Sequence, residues 1–310
     1  MSIASKQSQL AFRKTERALL KLASGQDAES VHGFRTSSLR LQTLLEELIP
    51  VRSRSQKKLL KLLERLRKRA GKVRDLDVQL EALRSLKFPQ EPRRKTQLVH
   101  SLIELRVKHE NKLRKILSKK TIREIQERLK QASKPGRLES GRDPLTVARK
   151  ILARAVPRVE PGSAAANRVT ADHPVPFTEE SLHRFRIAIK RGRYAAEFAP
   201  KSAEAGQFLA QLKTLQDAVG NWRDWLTLCE TADKKLGDVG QSSLLVALHR
   251  VTGNKFRHAV AALASSPAVQ ARTIPAQPSQ IALKPVAVTT KPRKLQATTP
   301  TLISRSNPAA

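Results

Sequence analysis

The chain repeats itself, and that constrains its fold more than any other feature. Val31-His32-Gly33-Phe34-Arg35 returns as Leu182-His183-Arg184-Phe185-Arg186, and Arg40 and Glu46 return as Arg191 and Glu197, each after 151 residues. Further on, Gly71-Lys72-Val73-Arg74-Asp75 returns as Gly220-Asn221-Trp222-Arg223-Asp224, after 149 residues. Two motifs recurring in the same order at nearly one spacing mean that a single supersecondary unit is used twice. The expected architecture is a pseudo-symmetric pair of bundles.

The repeated unit is helical. Leu, Ala, Lys, Arg, Gln and Glu dominate, aromatics are 4%, and the alternation that marks strands is missing. Gly and Pro divide the chain into candidate helices at 6–24, 30–49, 53–86 and 93–131. After Lys134-Pro135-Gly136 come a shorter helix at 145–156, a Pro- and Ala-rich insert at 157–176, and helices at 178–198, 203–235 and 241–264. Thr178 followed by Glu179 and Glu180 is a start signal: a capping hydroxyl, then acids on the positive end of the helix dipole. From Ala271 there is no Asp or Glu but recurrent Pro and Thr, too little apolar surface to order a segment. The expectation is one all-α domain over 1–265, its halves at about 6–131 and 144–265, then a disordered basic tail at 266–310.

Charge indicates the partner. The chain carries 60 Lys and Arg against 27 Asp and Glu, a net charge of +33. Solubility needs a charge of only about 2 to 8 for a small domain, and self-repulsion opposes compaction. The surplus argues for a polyanion. Cys229 is alone, so no disulfide framework or thiolate metal cluster is expected, and a reducing cytoplasmic setting fits. Residues 1–23 scatter charges through any apolar run, unlike a signal peptide. No stretch approaches the ~18 apolar residues of a membrane span.

The basic residues are ordered along helix faces. At about 100° per residue, Val31, Phe34, Leu41, Leu45 and Leu48 share the core side of one helix, with His32 and Arg35 on a neighbouring face. In the second copy Leu182, Phe185 and Ile189 mark the core. There His183, Arg186, Lys190 and Arg193 fall within an arc of roughly 80°, with Tyr194 beside them. Arg54, Lys58, Lys61, Arg65, Lys68 and Lys72 form another stripe, and Lys108, Lys112, Lys115 and Lys119 a fourth that reads best as a solvated face. Stripes on helices that pack together can converge on one groove, where Arg forks and Lys point charges meet phosphate oxygens. Asp75 and Asp224, each directly after an Arg, are expected to orient an Arg or His of that groove, or else to form ordinary ion pairs within the bundle.

The strongest motif, His183-Arg184-Phe185-Arg186-Ile187-Ala188-Ile189-Lys190-Arg191-Gly192-Arg193-Tyr194, is followed by Glu197 and by Gly220 with Arg223-Asp224. It pairs with His32, Arg35, Arg40 and Gly71-Lys72-Val73-Arg74-Asp75 in the first half. The chain thereby resembles the CHAD family (conserved histidine α-helical domain) over roughly 10–264. The resemblance implies two pseudo-twofold-related four-helix bundles around a basic surface or pore, inorganic polyphosphate as partner and, as in some members of the family, placement at polyphosphate granules. It assigns binding to His32, Arg35, Arg40, Arg74, His183, Arg186, Lys190, Arg191, Arg193 and Arg223; the stripe reading adds Lys58, Lys61 and Arg65. Leu39 and Gln42 stand where the second half has Lys190 and Arg193, so the first-half stripe is weaker.

A nucleic acid is the alternative partner, but Trp222, Trp225 and Tyr194 are few as base-stacking platforms. An enzyme of phosphate or metal chemistry ranks last. Neither a Glu-x-Glu-x-Lys signature nor a Gly-rich phosphate loop occurs. His32 and His183 have cationic neighbours where metal ligands would be needed, and His249 and His258 read as incidental. Neither catalytic residue, cofactor nor metal is therefore expected.

Overall fold

Each helix begins where a side chain can satisfy its first free amides. The computed structural model describes residues 3–134, 141–157, 177–237 and 242–267. Among them are nine α-helices and no strand: α1 Ile3–Ser24, α2 Ala28–Thr43, α3 Arg54–Ser85, α4 Pro92–Ile116, α5 Lys119–Ala132, α6 Pro144–Ala155, α7 Glu179–Ala196, α8 Ala203–Leu236 and α9 Ser243–Ala264. Asp27 accepts from the amides of Glu29 and Ser30 to start α2. Ser53 and Gln56 form a capping box at α3, and Thr178 caps α7 as its sequence signal indicates. The insert from residue 158 and the tail from residue 268 lie outside the described residues. None of the described helices is long and apolar enough to cross a membrane.

Two elements depart from the sequence reading. The helix expected at 93–131 is two helices, broken at Leu117–Ser118, where Ser118 accepts from the Thr121 amide and caps α5. With neither Gly nor Pro at the break, the punctuation rule had no signal to read. The helix expected to reach residue 49 closes instead as a π-helical turn, Leu44–Leu48, carrying Glu46 and Glu47.

The repeat is visible in the packing. α1 packs on α2, α2 on α3 and α3 on α4; α6 packs on α7, α7 on α8 and α8 on α9 in the same sequence. The two sets meet along like elements, α2 against α7 and α3 against α8, as a pseudo-twofold axis requires. α5 has no counterpart and lies against α1 and α3. Close approach of α6 and α7 depends on Gly192, where a Cβ would sit 3.3 Å from Leu152 Cγ.

The core residues anticipated from helical phase, Val31, Phe34, Leu41, Leu45, Leu48, Leu182, Phe185 and Ile189, are all buried. The apolar interior does not divide between the halves. One cluster draws on both, and a second gathers Leu80, Leu83, Leu98, Leu102, Trp225, Cys229, Leu245 and Leu248 where the far ends of α3 and α8 meet α4 and α9. Glu91 adds a polar tie between the sets by accepting from Ser242 Oγ and from the amides of Ser243 and Leu244 at the start of α9.

Candidate functional site

Pairing α2 with α7 and α3 with α8 brings the two copies of the sequence motif to one place. Arg35 of α2 donates from Nη1 to Asp75 Oδ1 at 3.1 Å and to the Gly71 carbonyl at 3.2 Å, both on α3. The same pair in the second copy, Arg186 of α7 with Asp224 of α8, is looser at 4.0 Å. Lys190, one helical turn past Arg186, feels both pairs: Arg186 and Arg35 act on it as cations, Asp224 and Asp75 as anions. Arg74 acts on His32 and Asp224, and Arg223 acts on His183 and Arg186. His32, Arg35, Arg74, His183, Arg186, Lys190 and Arg223 thus form one cluster at the axis, with Asp75, Asp224 and Glu230 as its carboxylates, Glu230 lying 3.6 Å from Arg223.

Positive charge is in excess there, and burial makes it costly. Burial foremost, then Arg186 and Arg35, lowers Lys190 from 10.5 to about 8. Burial likewise dominates at both histidines. It acts with Arg74, Arg35, Lys190 and Arg40 to lower His32, and with Arg223, Arg186 and Lys190 against Glu230 to lower His183. Arg186 is lowered and its partner Asp224 raised, in each case by burial before anything else. Both members of that pair are pushed toward neutrality, so their mutual attraction does not offset desolvation. Arg186 Nε and His183 Nδ1 are buried with no hydrogen-bond partner among the described residues. Two unpartnered nitrogens in a cation-rich cluster suit an anion that accepts from them.

Other residues singled out in the sequence serve differently. Arg40 donates from Nε to Glu197 Oε2 at 2.5 Å and from Nη2 to Oε1 at 3.3 Å. Its counterpart Arg191 reaches across in the other direction to Glu46 Oε2 at 3.2 Å and to Glu47. These crossed pairs join the halves, and they explain why Arg40 and Glu46 recur together. Arg193 lies 3.7 Å from Glu197 and, like Arg40, over the ring of Tyr194. Lys58, Lys61 and Arg65 are exposed and make no ion pair among the described residues. They sit roughly 140–180° round α3 from Arg74, on the opposite face from the cluster.

Three features went unread in the sequence. Arg67 of α3, half-buried, donates to Gln42 Oε1, and Gln42 donates to Glu46 at 3.0 Å. Arg67 matches Gln216 at the 149-residue spacing and Gln42 matches Arg193 at 151, so cation and amide have exchanged helices between the halves. A cleft of 770 Å3 between α1 and α2 opens beside His32, with Lys14, Arg17 and Lys21 on its α1 wall; their i, i+3, i+7 spacing was available as a signal. The repeat also extends further: His100 matches His249 and His109 matches His258, both at 149 residues. The aromatics that base stacking would require are withdrawn, with Trp222, Trp225 and Tyr194 all buried.

A family model described as the CHAD domain matches residues 7–233. The CHAD domain from the plant Ricinus communis superposes with a TM-score of 0.55 at 19% identity, covering 84% of this chain and 86% of that one. PptA from Streptomyces chartreusis superposes with a TM-score of 0.60 at 16% identity, covering 87% and 97%. No curated protein matches the chain.

Proposed function

Because the chain belongs to the CHAD domain family, we propose that it binds inorganic polyphosphate at the axial cluster. The observation that carries this reading is the half-buried excess of cations, the five Arg35, Arg74, Arg186, Lys190 and Arg223 against the three carboxylates Asp75, Asp224 and Glu230, together with the unpartnered Arg186 Nε and His183 Nδ1. A phosphate chain relieves that excess with oxygens that need no proton. Arg186, Lys190 and Arg223 grip it from the second half and Arg35 and Arg74 from the first. A long chain continues past His32 into the cleft lined by Lys14, Arg17 and Lys21.

The grip is firmer in the second half, where Arg186 is the more loosely paired of the two related arginines and Lys190 has no first-half equal. Asp75 and Asp224 hold Arg35 and Arg186 toward the ligand. We read the protein as a cytoplasmic binder rather than an enzyme, with polyphosphate granules as its place of action. Each carboxylate of the cluster lies against an arginine: Asp75 3.1 Å from Arg35, Asp224 4.0 Å from Arg186 and Glu230 3.6 Å from Arg223.

The test is anisotropy of labelled polyphosphate with the full chain and with the triple variant Arg186→Gln, Lys190→Gln, Arg223→Gln. Three charge-assisted hydrogen bonds at about 1.5 kcal/mol each amount to about a thousandfold loss of affinity. The parent should bind longer chains more tightly and lose affinity steeply with salt. Unchanged affinity in a variant of unchanged helicity rejects the site. RNA displacing polyphosphate at equal phosphate concentration rejects the selectivity, and release of phosphate from the bound chain rejects the non-enzymatic reading.

A further inference from the structure

Away from the axis, α8 and α9 bring three different kinds of metal ligand together. Cys229 and Asp233 stand four residues apart on one face of α8, and His249 meets them from α9. His249 Nε2 lies 3.0 Å from Asp233 Oδ1, and one ligand atom from each residue falls within 4.8 Å of the other two. We propose that Cys229, Asp233 and His249 form a binding site for a divalent transition-metal ion that accepts thiolate, Zn2+ foremost.

The donor set defines the class. A thiolate with an imidazole suits Zn2+ and its neighbours in the first transition row and disfavours Mg2+ and Ca2+, which take oxygen ligands. Tetrahedral zinc bonds of about 2.0–2.3 Å set donors roughly 3.3–3.7 Å apart. To reach that spacing the widest pair must close by about 1 Å and the His249–Asp233 pair must open by a few tenths of an ångström, shifts that fall on Asp233 and His249, whose side chains are 30% and 46% exposed. Cys229 is the fixed point, buried in the second apolar cluster with Trp225 and Leu248. Three protein ligands leave the fourth position open on the solvent side, where the ion would enter.

Local charge favours a cation, in contrast to the axial cluster. Burial first, then Asp233 and Glu230, pushes the Cys229 thiol up to about 11, against a hydrogen bond from Thr252. Both charged groups acting on the sulfur are acids. A divalent ion takes the place of the thiol proton, which leaves to solvent as the S–H bond is exchanged for a metal–sulfur bond.

The repeat shows that the fold does not require this trio. At the 149-residue spacing the first half keeps a histidine, His100 for His249, but places Leu80 opposite Cys229 and Arg84 opposite Asp233. Leu80 packs into the same apolar cluster that holds Cys229. An apolar residue therefore serves the packing role at the related position, and Arg84 would repel a cation. The cysteine and the acid are additions of the second half.

The reduced, metal-free full chain titrated with Co2+ provides the test, free of polyphosphate because that would compete for the ion. The expected result is one equivalent bound, with an intense near-ultraviolet thiolate-to-cobalt absorption and loss of Trp225 fluorescence, both reversed by Zn2+. Cys229→Ser should abolish the absorption. His249→Gln, at an exposed position, and Asp233→Asn, at a half-buried one, should each weaken Co2+ binding at least about tenfold with unchanged helicity and unchanged polyphosphate affinity. No absorption in the folded parent, or absorption that survives Cys229→Ser, overturns the proposal. Should Cys229→Ser not fold, full affinity in His249→Gln overturns it equally. None of the outcomes that overturn the proposal depends on whether polyphosphate binds.

Discussion

Lys190 places binding and stability in opposition, and replacing it with methionine separates them. The two side chains have similar length, so Lys190→Met removes the charge while keeping the contacts of the stem. In the folded protein the ammonium is lowered from 10.5 to about 8, chiefly by burial and then by Arg186 and Arg35. A lysine lowered on folding destabilises the folded state wherever it is charged in both states, that is, below pH 8. The penalty is relieved as pH rises from 8 toward 10.5. The two values correspond to about 3 kcal/mol at most, of which about 1 kcal/mol is recovered between pH 7 and 9. Urea unfolding without polyphosphate should therefore show Lys190→Met more stable than the parent at pH 7, with the difference narrowing by about 1 kcal/mol at pH 9. Taking the difference at each pH cancels Cys229, whose raised thiol acts in the opposite sense above pH 9. In anisotropy titrations the parent should lose about tenfold in polyphosphate affinity from pH 7 to 9, and the variant should bind weakly at both. A variant less stable than the parent at pH 7, or one whose affinity falls with pH as steeply, refutes the placement of a strained ammonium at the axis.

The crossed ion pairs give a second expectation. A double-mutant cycle of Arg40→Gln with Glu197→Gln, read by urea unfolding, should yield a coupling of about 1 kcal/mol, since both partners retain solvent contact; zero coupling means that the pair does not hold the halves together. The hidden helix break gives a third: Ser118→Ala should cost about 1 kcal/mol and raise amide exchange at Thr121, whereas an unchanged melting temperature argues for one continuous helix over 92–132.

Much of the fold was legible because repetition and helical phase are local properties of a sequence. Val31, Phe34 and Leu41 could be placed on a core face by counting 100° steps, and the recurrence of His32-x-x-Arg35 as His183-x-x-Arg186 marked out two related halves. Phase on one helix does not say which of its neighbours a polar face will meet. Lys58, Lys61 and Arg65 have the spacing of a binding stripe, yet they lie across α3 from Arg74. The family resemblance assigns Arg40 and Arg191 to ligand binding, although Glu46 and Glu197 recur with them. A cation and an anion repeated together at the same spacing satisfy each other across the axis, and that reading was available.

The substitution of Leu39 for Lys190 in the first half looks like a defect when the halves are compared position by position. It follows from where the axis runs. A residue remote from a twofold axis occurs as two separated copies, whereas a residue beside it meets its own counterpart. Lys190 is felt together with Arg35 and Asp75 of one half and Arg186 and Asp224 of the other, which places it beside the axis. A second ammonium at position 39 would add a like charge to a site already pushed to about 8 by burial and two guanidiniums. The same reasoning accounts for the exchange of Gln42 and Arg67 with Arg193 and Gln216: a cation moved to the neighbouring helix keeps a basic residue in each half without stacking like charges on α2 and α7. Within the repeated motif the halves therefore differ at the positions where symmetry would place like charges together at the axis.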